Sequence, residues 1–408
     1  MCGVNRMYAE LIREITNTEV LTNSLENIVE NFSVNNAIMI IMMFFCIIGG
    51  VDKIRGNKLG YGEKFDEAFG ALKTLALIMI GIITLVPILK LVLEPIISPI
   101  YEMFGASPAM FAGTILPVDS GAYPLAIELA NGNMSIANLS GVILGSTFGC
   151  IFIGMIPMTL PFLEEEDYNC FAAAVLVAII TIPIGSIVGG LAMNLTSYKI
   201  SFMEIVINLI PVIIISILVA VGLALWPKKL MHAFCVIGNG MQVLLTVAVV
   251  LAAVQSVTGL RLPLFYLMVE PAVEGGMSPL TESIVIVGTI GLVLSGAFPM
   301  VLWITRTFKK PLQKMAELLG VDEAGGAALV ATLASYFPAL DLLKKMNLKS
   351  RFRVLTFSIS AAFVLGDHLG FIAGVDPEMV VPMMVSKMVS GISALLLANA
   401  LAPKLLKS

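Results

Sequence analysis

The sequence predicts an all-α polytopic membrane protein, built as an inverted repeat of about nine transmembrane helices and two re-entrant hairpins, as in many transporters. Three observations lead to this prediction. Of the 408 residues, 58% are hydrophobic and only 13% are charged. Several segments of about 20 residues are apolar on every face, as a helix surrounded by lipid and other helices is. A pattern of prolines in the first half of the chain also recurs in the second half.

Windows of about 20 apolar residues locate the membrane helices. Two further segments, 107–130 and 325–345, are apolar but interrupted by Pro, Gly, Ser and Asp. Such a segment either crosses the membrane or enters it and returns to the same side. The nine predicted spans are 34–54, 66–93, 136–161, 168–195, 203–226, 231–257, 279–304, 351–372 and 376–403.

The repeat is visible in prolines of equal spacing. Pro87 and Pro99 are followed by a glutamate and Gly105, and Pro299 and Pro311 by a glutamate and Gly320. Each predicted unit has four spans, so one linker helix between them turns the second unit over relative to the first. The predicted divisions are a polar N-terminal extension (1–33), a first unit with hairpin 107–130 (34–195), a linker helix (196–230) and a second unit with hairpin 325–345 (231–408).

The distribution of basic residues favours hairpins over full crossings. Lysine and arginine collect in cytoplasmic loops. With two hairpins and an outside N-terminus, seventeen of them fall on one face and four on the other. Full crossings would move Lys228, Lys229 and the cluster from Arg306 to Lys314 to the wrong face. We therefore predict a C-terminus inside, although the acidic loop 164–167 then lies inside without a basic residue of its own.

Several classes of function find no support in the composition. The five cysteines lack a CxxC pair and only two histidines exist, so we predict no metal site. No nucleotide-binding loop, HExxH motif or nucleophile elbow is present, and we predict no cofactor and no catalytic residues. A net charge of −4 without a basic aromatic face argues against a nucleic-acid partner. The expected surroundings are a lipid bilayer, and a homo-oligomer is compatible with the sequence.

Asp119 is the clearest candidate for a binding site. It lies in a broken apolar segment between Pro117 and Pro124, where freed backbone groups can line a pocket. A carboxylate at membrane depth costs several kcal/mol unless it faces a polar cavity or a positive charge. Ser120 and Tyr123 beside it offer hydroxyl groups for hydrogen bonding. The alternative is that Asp119 lies at the membrane surface and caps a short helix.

Asp367, His368 and Lys387 form a second set of candidates. Asp367 and His368, within a Gly-Asp-His-Leu-Gly sequence, could bind a cation or relay a proton, because histidine titrates near neutral pH. Lys387 lies about a third of the way into the last predicted span and could be the counter-ion of Asp119 or Asp367. Alternatively, Asp367 pairs permanently with His368 or Lys387 and locks two helices together.

The chain resembles the EutH family of ethanolamine permeases from about Asn35 to Leu401. The similarity is carried by the stretch from Ile40 to Ile54, by Met110 to Thr114 leading to Asp119, by Gly366 to Phe371, and by Lys387. The resemblance implies ethanolamine uptake across the cytoplasmic membrane of a bacterium, as part of ethanolamine utilisation. An ammonium compound with one hydroxyl would then meet the carboxylates of Asp119 and Asp367 and the hydroxyl of Ser120 or Tyr123.

Three other functions remain open from the sequence. The order of span, interfacial helix, hairpin and two spans is similar to that of concentrative nucleoside transporters, although amide groups for a nucleobase are few. A passive channel leaves no distinguishing pattern. An intramembrane enzyme using Asp367 and His368 as acid and base has no nucleophile or metal ligands beside them.

Overall fold

The computed structural model describes residues 13, 17–30, 32–164, 167–318 and 320–405. Within that part of the chain all regular structure is helical, and eight helices are long and apolar enough to cross a membrane. The predicted all-α polytopic membrane protein is therefore confirmed. Residues 1–12, 14–16 and 31 of the predicted extension lie outside the described residues.

The helices follow the predicted order. The first half contains α1 Thr18–Glu30, α2 Val34–Ile54, α3 Tyr61–Glu102, α4 Met110–Ile115, α5 Ala122–Leu129, α6 Met134–Phe162 and α7 Tyr168–Ala192. The linker is α8 Phe202–Leu225. The second half contains α9 Pro227–Thr258, α10 Pro279–Leu318, α11 Glu323–Ala334, α12 Phe337–Asp341, α13 Leu348–Ala361, α14 Asp367–Val375 and α15 Val380–Leu405.

Two features differ from the predicted pattern of helices. The predicted order of elements includes a separate interfacial helix before each hairpin, yet in the structure residues 94–102 continue α3 and residues 308–318 continue α10 without a break. Helix α3 has 42 residues and a length of about 63 Å, about twice the thickness of a bilayer core. The other eight predicted spans are present, whereas the span predicted at 351–372 is interrupted between α13 and α14.

The interruption is stabilised by the neighbouring hairpin. The backbone N–H groups of Phe363 and Leu365 donate to the carbonyls of Thr332 and Leu333 at the end of α11, at 3.0 and 2.8 Å. A Cβ atom on Gly366 would collide with the Ala334 carbonyl, so the two backbones approach as only glycine permits. These tertiary hydrogen bonds replace those of a continuous helix, which explains why apolar composition alone predicted an unbroken span.

Helix α6 is the most buried of the eight spans, and it packs directly on the first hairpin. Much of it is wound more widely than an α-helix, with π-type turns over Leu139–Gly149 and Ile151–Met155. Gly141, Gly145 and Gly149 share one face, and side chains there would collide with the backbone or Cβ atoms of the hairpin. Such turns often mark functional sites, and here they leave a buried carbonyl available to another helix.

The two halves show matching local features and contacts. Gly105 and Gly320, which end the two proline patterns, both have left-handed backbone angles, with φ of 70° and 72°. Helix α3 packs against its predicted counterpart α10, and α7 packs against its counterpart α15. The inverted repeat stays a prediction, which these contacts support.

Ion pairs show which loops share a face of the bundle. Lys344 contacts Glu164 at 2.7 Å, and Arg351 pairs with Asp167. The hydrogen bond from Lys344 holds the pKa of Glu164 below its usual range. The acidic loop predicted to lack a basic partner therefore lies beside the basic loop at 344–351. We call this end of the bundle the basic face.

Each hairpin has both of its ends at one face. The backbone N–H and amide of Asn347 donate to Asp322 at 2.9 and 2.7 Å, which joins the two ends of hairpin 325–345 at the basic face. The ends of hairpin 107–130 contact the start of α8, through Ser107 and Asn208 (2.8 Å) and through Ser135 and Lys199 (2.9 Å). These contacts support the prediction that the hairpins enter from opposite sides.

Candidate functional site

A cavity of ≈ 740 Å³ between α3, α10, α11 and α14 is the first candidate site. It reaches the surface at the basic face, where Lys64 and Glu67 pair with each other. Arg306, also at this end, donates to the Leu59 carbonyl at 2.7 Å and so is already engaged. The walls are mostly apolar, and Ser335 at the tip of the second hairpin adds a hydroxyl group.

Asp367 supplies the carboxylate of this cavity. It is the first residue of α14, immediately after the interruption, and its side chain lines the cavity. No ion pair or hydrogen bond to this carboxylate is present in the described chain, so neither His368 nor Lys387 is locked to it. The negative charges of Asp119 and Glu67 act on it in addition. An uncompensated carboxylate in an apolar cavity is suited to bind a cation.

Asp119 lies in the turn between α4 and α5 and is not among the residues that line the cavity. Ser120 donates to its Oδ1 atom at 3.2 Å. The negative charge of Asp119 interacts with that of Asp367 and with the positive charge of Lys387. The structure thus places the two predicted carboxylates in one electrostatic environment, contributed by both hairpin regions.

Lys387 is buried in α15 and donates to the Ser146 carbonyl of α6. This carbonyl belongs to the π-type winding, in which the ordinary α-helical hydrogen bonding is altered. A buried ammonium held by a neutral carbonyl remains available to a carboxylate, and Asp119 is the acidic side chain that acts on it. No ion pair of the described residues joins Lys387 to Asp119, so the role of Lys387 as a counter-ion stays a prediction.

His368 points away from the cavity that its neighbour Asp367 lines. It is buried, with Nε2 3.9 Å from the Cys150 sulfur and its ring against Phe363 at 5.4 Å. Its Nδ1 atom has no hydrogen-bond partner. The structure does not bring His368 and Asp367 together as one cation site, and a role for His368 in coupling stays a prediction.

Tyr123 does not accompany Asp119 as the sequence suggested. Its hydroxyl is 3.5 Å from Oδ2 of Asp376, and its ring contacts Phe371 edge to face at 6.3 Å. The amide nitrogen of Asn138 donates to the same carboxylate oxygen at 3.1 Å. Asp376 thus belongs to a second polar cluster, at the face opposite the basic face.

Sequence reasoning missed both Asp376 and the Ser146 carbonyl. Asp376 lies at the start of a predicted span, before a proline, where an acidic residue does not by itself indicate a functional site. Its contacts with Tyr123 and Asn138 join residues more than 200 positions apart, for which the sequence gives no local signal. The Ser146 carbonyl is a backbone group, so no residue type in the sequence indicates its role. Within the described chain no group of three His, Cys, Asp or Glu side chains is placed to hold a metal ion.

Comparison with known proteins assigns the family. The model of the family described as "Ethanolamine utilisation protein, EutH" matches residues 34–401. The chain belongs to the EutH family. The match includes the first hairpin, the interruption at 362–366 and Lys387, so every candidate site residue lies within it. No solved structure matches the chain.

EutH proteins of several bacteria are similar along nearly their whole length. A protein of Listeria monocytogenes named "Probable ethanolamine permease EutH" is 42% identical over 375 residues, covering 92% of this chain and 96% of that protein. A Salmonella typhimurium protein of the same name is 39% identical, covering 91% and 96%. A Bacillus subtilis protein named "Uncharacterized protein YxeR" is 36% identical, again covering 91% and 96%.

Proposed function

We propose that this chain is a permease that carries ethanolamine into a bacterial cell by alternating access. The observation that carries the proposal is the cavity that ends at Asp367, whose carboxylate has no cationic partner in the described chain. Ethanolamine is protonated at neutral pH, so its ammonium matches this charge. The names of relatives 39–42% identical to the chain point to the same substrate.

The contacts of the two halves support the transport mechanism. The contacts of Ser107 with Asn208 and of Asn347 with Asp322 support hairpins that enter from opposite faces, and the proposed substrate path runs between them past Asp119 and Asp367. The cavity mouth lies beside Lys64 and Glu67, at the face that the distribution of lysine and arginine predicts to be cytoplasmic. The chain is then open towards the cytoplasm, with the N-terminus outside and the C-terminus inside.

The proposed exchange involves Lys387. When the substrate ammonium approaches Asp119 and Asp367, it competes with the Lys387 ammonium for the same negative field. Release of substrate to the cytoplasm restores the interaction between Lys387 and Asp119. A hydroxyl group such as Ser120 or Ser335 is placed to orient the alcohol of the substrate.

The exposed apolar helices support a location in the inner membrane. Large side chains on α8 and α9, among them Leu218, Val243 and Val250, are more than half exposed, as is Leu292 on α10. Surfaces of this kind are stable against lipid and not against water. Assembly of several copies stays a prediction.

Counterflow tests the proposal. Proteoliposomes containing the purified chain are loaded with unlabelled ethanolamine, and labelled ethanolamine is supplied outside. A carrier accumulates label transiently above its equilibrium level, whereas a passive channel only equilibrates it. Excess nucleoside added outside should leave the signal unchanged. Absence of any ethanolamine flux, or loss of the overshoot, would contradict the proposed carrier.

A further inference from the structure

The face opposite the cavity holds the second polar cluster, which centres on Asp376. Helix α2 shows that the two sites are at opposite ends of the bundle. Near its start Asn35 contacts the backbone of Glu378 and Val381, at 3.0 and 3.2 Å. Near its end Asp52 accepts from the backbone at the start of α3, beside the cavity mouth. The 21 residues of α2 separate these ends by about 30 Å.

The Asp376 carboxylate is buried without a positive partner. Only 6% of the residue is exposed, and no ion pair of the described chain includes it. Lys199, the basic residue of the adjoining loop, donates to the Asn194 carbonyl at 2.6 Å instead. Neutral donors contact the carboxylate, namely Asn138, Tyr198 and, at longer range, Tyr123. Burying a carboxylate without a counter-ion is costly, so a cation that entered here would be stabilised strongly.

Asn138 provides an independent sign of a missing donor. It is fully buried, and its Nδ2 atom donates to Asp376, which fixes the orientation of the amide. Among the residues that the structure describes, its Oδ1 atom then has no hydrogen-bond partner. A buried amide oxygen is almost always satisfied, and an unsatisfied one beside a carboxylate forms a pair of acceptors. Such a pair fits an ammonium group, which has only donors.

Aromatic side chains surround the cluster. Tyr123 and Phe371 pack edge to face, and the Tyr198 side chain interacts with Asp376. Rings of this kind attract organic ammonium groups through their negative faces. Tyr123 and Tyr198 are both part-buried. Tyr123 belongs to α5, which begins just after the turn that contains Asp119.

We propose that Asp376, Asn138, Tyr123 and Tyr198 form an outer binding subsite for a primary organic ammonium, which is occupied before the substrate reaches Asp119 and Asp367. The carboxylate and the Asn138 oxygen accept from the ammonium, and a tyrosine hydroxyl contacts the alcohol. The choice of ethanolamine as the ligand rests on the proposed function, while the subsite itself rests on the geometry of these side chains.

Equilibrium binding of labelled ethanolamine to the full chain in lipid nanodiscs tests the subsite. The Asp367→Asn variant weakens the central site, and the subsite should still bind ethanolamine in it. Adding Asp376→Asn should weaken this remaining binding by about tenfold or more, since hydrogen bonds to charged groups are strong. Glu378→Gln is the matched control: this exposed carboxylate contacts the Ser197 N–H nearby, and its loss should leave binding unchanged.

A second variant keeps the test decisive if Asp376→Asn folds poorly. Asn138→Leu keeps the carboxylate but removes the amide oxygen, and it should also weaken binding in the Asp367→Asn background. Unchanged binding in both variants, or equal competition by neutral ethylene glycol, would overturn the subsite. Absence of ethanolamine flux through the unmodified chain would instead contradict the proposed function. The binding measurements on the Asp376 and Asn138 variants would still decide whether the subsite exists.

Discussion

At the scale of single residues, Asp367 and Glu67 offer a direct comparison, because both carboxylates line the same cavity but only Glu67 has a lysine partner. We expect Asp367→Asn to reduce ethanolamine uptake by at least about tenfold, since it removes the charge that faces the substrate ammonium. Glu67→Gln should change uptake by less than about threefold, because exposed ion pairs contribute little. Initial rates in proteoliposomes measure both, and equal losses would contradict the role of Asp367.

Asp119 and Lys387 should act as a pair. Asp119→Asn should abolish uptake while the protein remains in the membrane, and Lys387→Met should do the same with similar side-chain volume. If the two charges serve one exchange step, the double variant should be no worse than either single variant. A double-mutant cycle on uptake rates measures this coupling. Strictly additive losses would show that the two residues act independently.

Sequence reasoning located the central residues better than their partners. Charges within apolar segments are conspicuous, which is why Asp119, Asp367 and Lys387 could be named in advance. The direction of each side chain could not be predicted, because it depends on contacts across the bundle. His368 and Asp367 are neighbours in sequence but face different surroundings, and the partner of Tyr123 proved to be Asp376.

At the scale of the elements, the interruption between α13 and α14 places Asp367 in the cavity. Hydropathy predicted a continuous span at 351–372, since it cannot register hydrogen bonds to another segment. The local sequence contained a hint in Gly366, whose close approach to Ala334 requires the absence of a side chain. The eight other spans depend on apolar composition and length, and they were predictable for that reason.

Gly366→Ala tests whether this close approach is needed. The added methyl group would collide with the Ala334 carbonyl, which should destabilise the folded protein by about 1–3 kcal/mol. Gly240→Ala is the matched control, because its surroundings are open. Thermal unfolding in detergent should show a lower Tm for Gly366→Ala only, together with reduced uptake. An unchanged Tm with normal uptake would show that the interruption tolerates a side chain.

At the scale of the whole molecule, the account depends on two halves of opposite orientation. The proline patterns predicted this arrangement, and paired contacts such as α3 with α10 and α7 with α15 are compatible with it. Positive charge predicted which loops share a face, and the ion pairs of Glu164 and Asp167 place the acidic loop beside a basic one. Composition alone could not predict this, because acidic residues contribute little to the orientation of loops.

Sided labelling of the hairpin tips tests the central claim most directly. In a variant without the five native cysteines, Ser120→Cys and Ser335→Cys are labelled separately with a membrane-impermeant maleimide from each side. Without substrate, Ser335→Cys should react from the cytoplasmic side and Ser120→Cys should be protected. Ethanolamine supplied outside should increase labelling of Ser120→Cys from outside and decrease labelling of Ser335→Cys. Labelling of both tips from the same side would contradict two oppositely oriented halves with a shared acidic site.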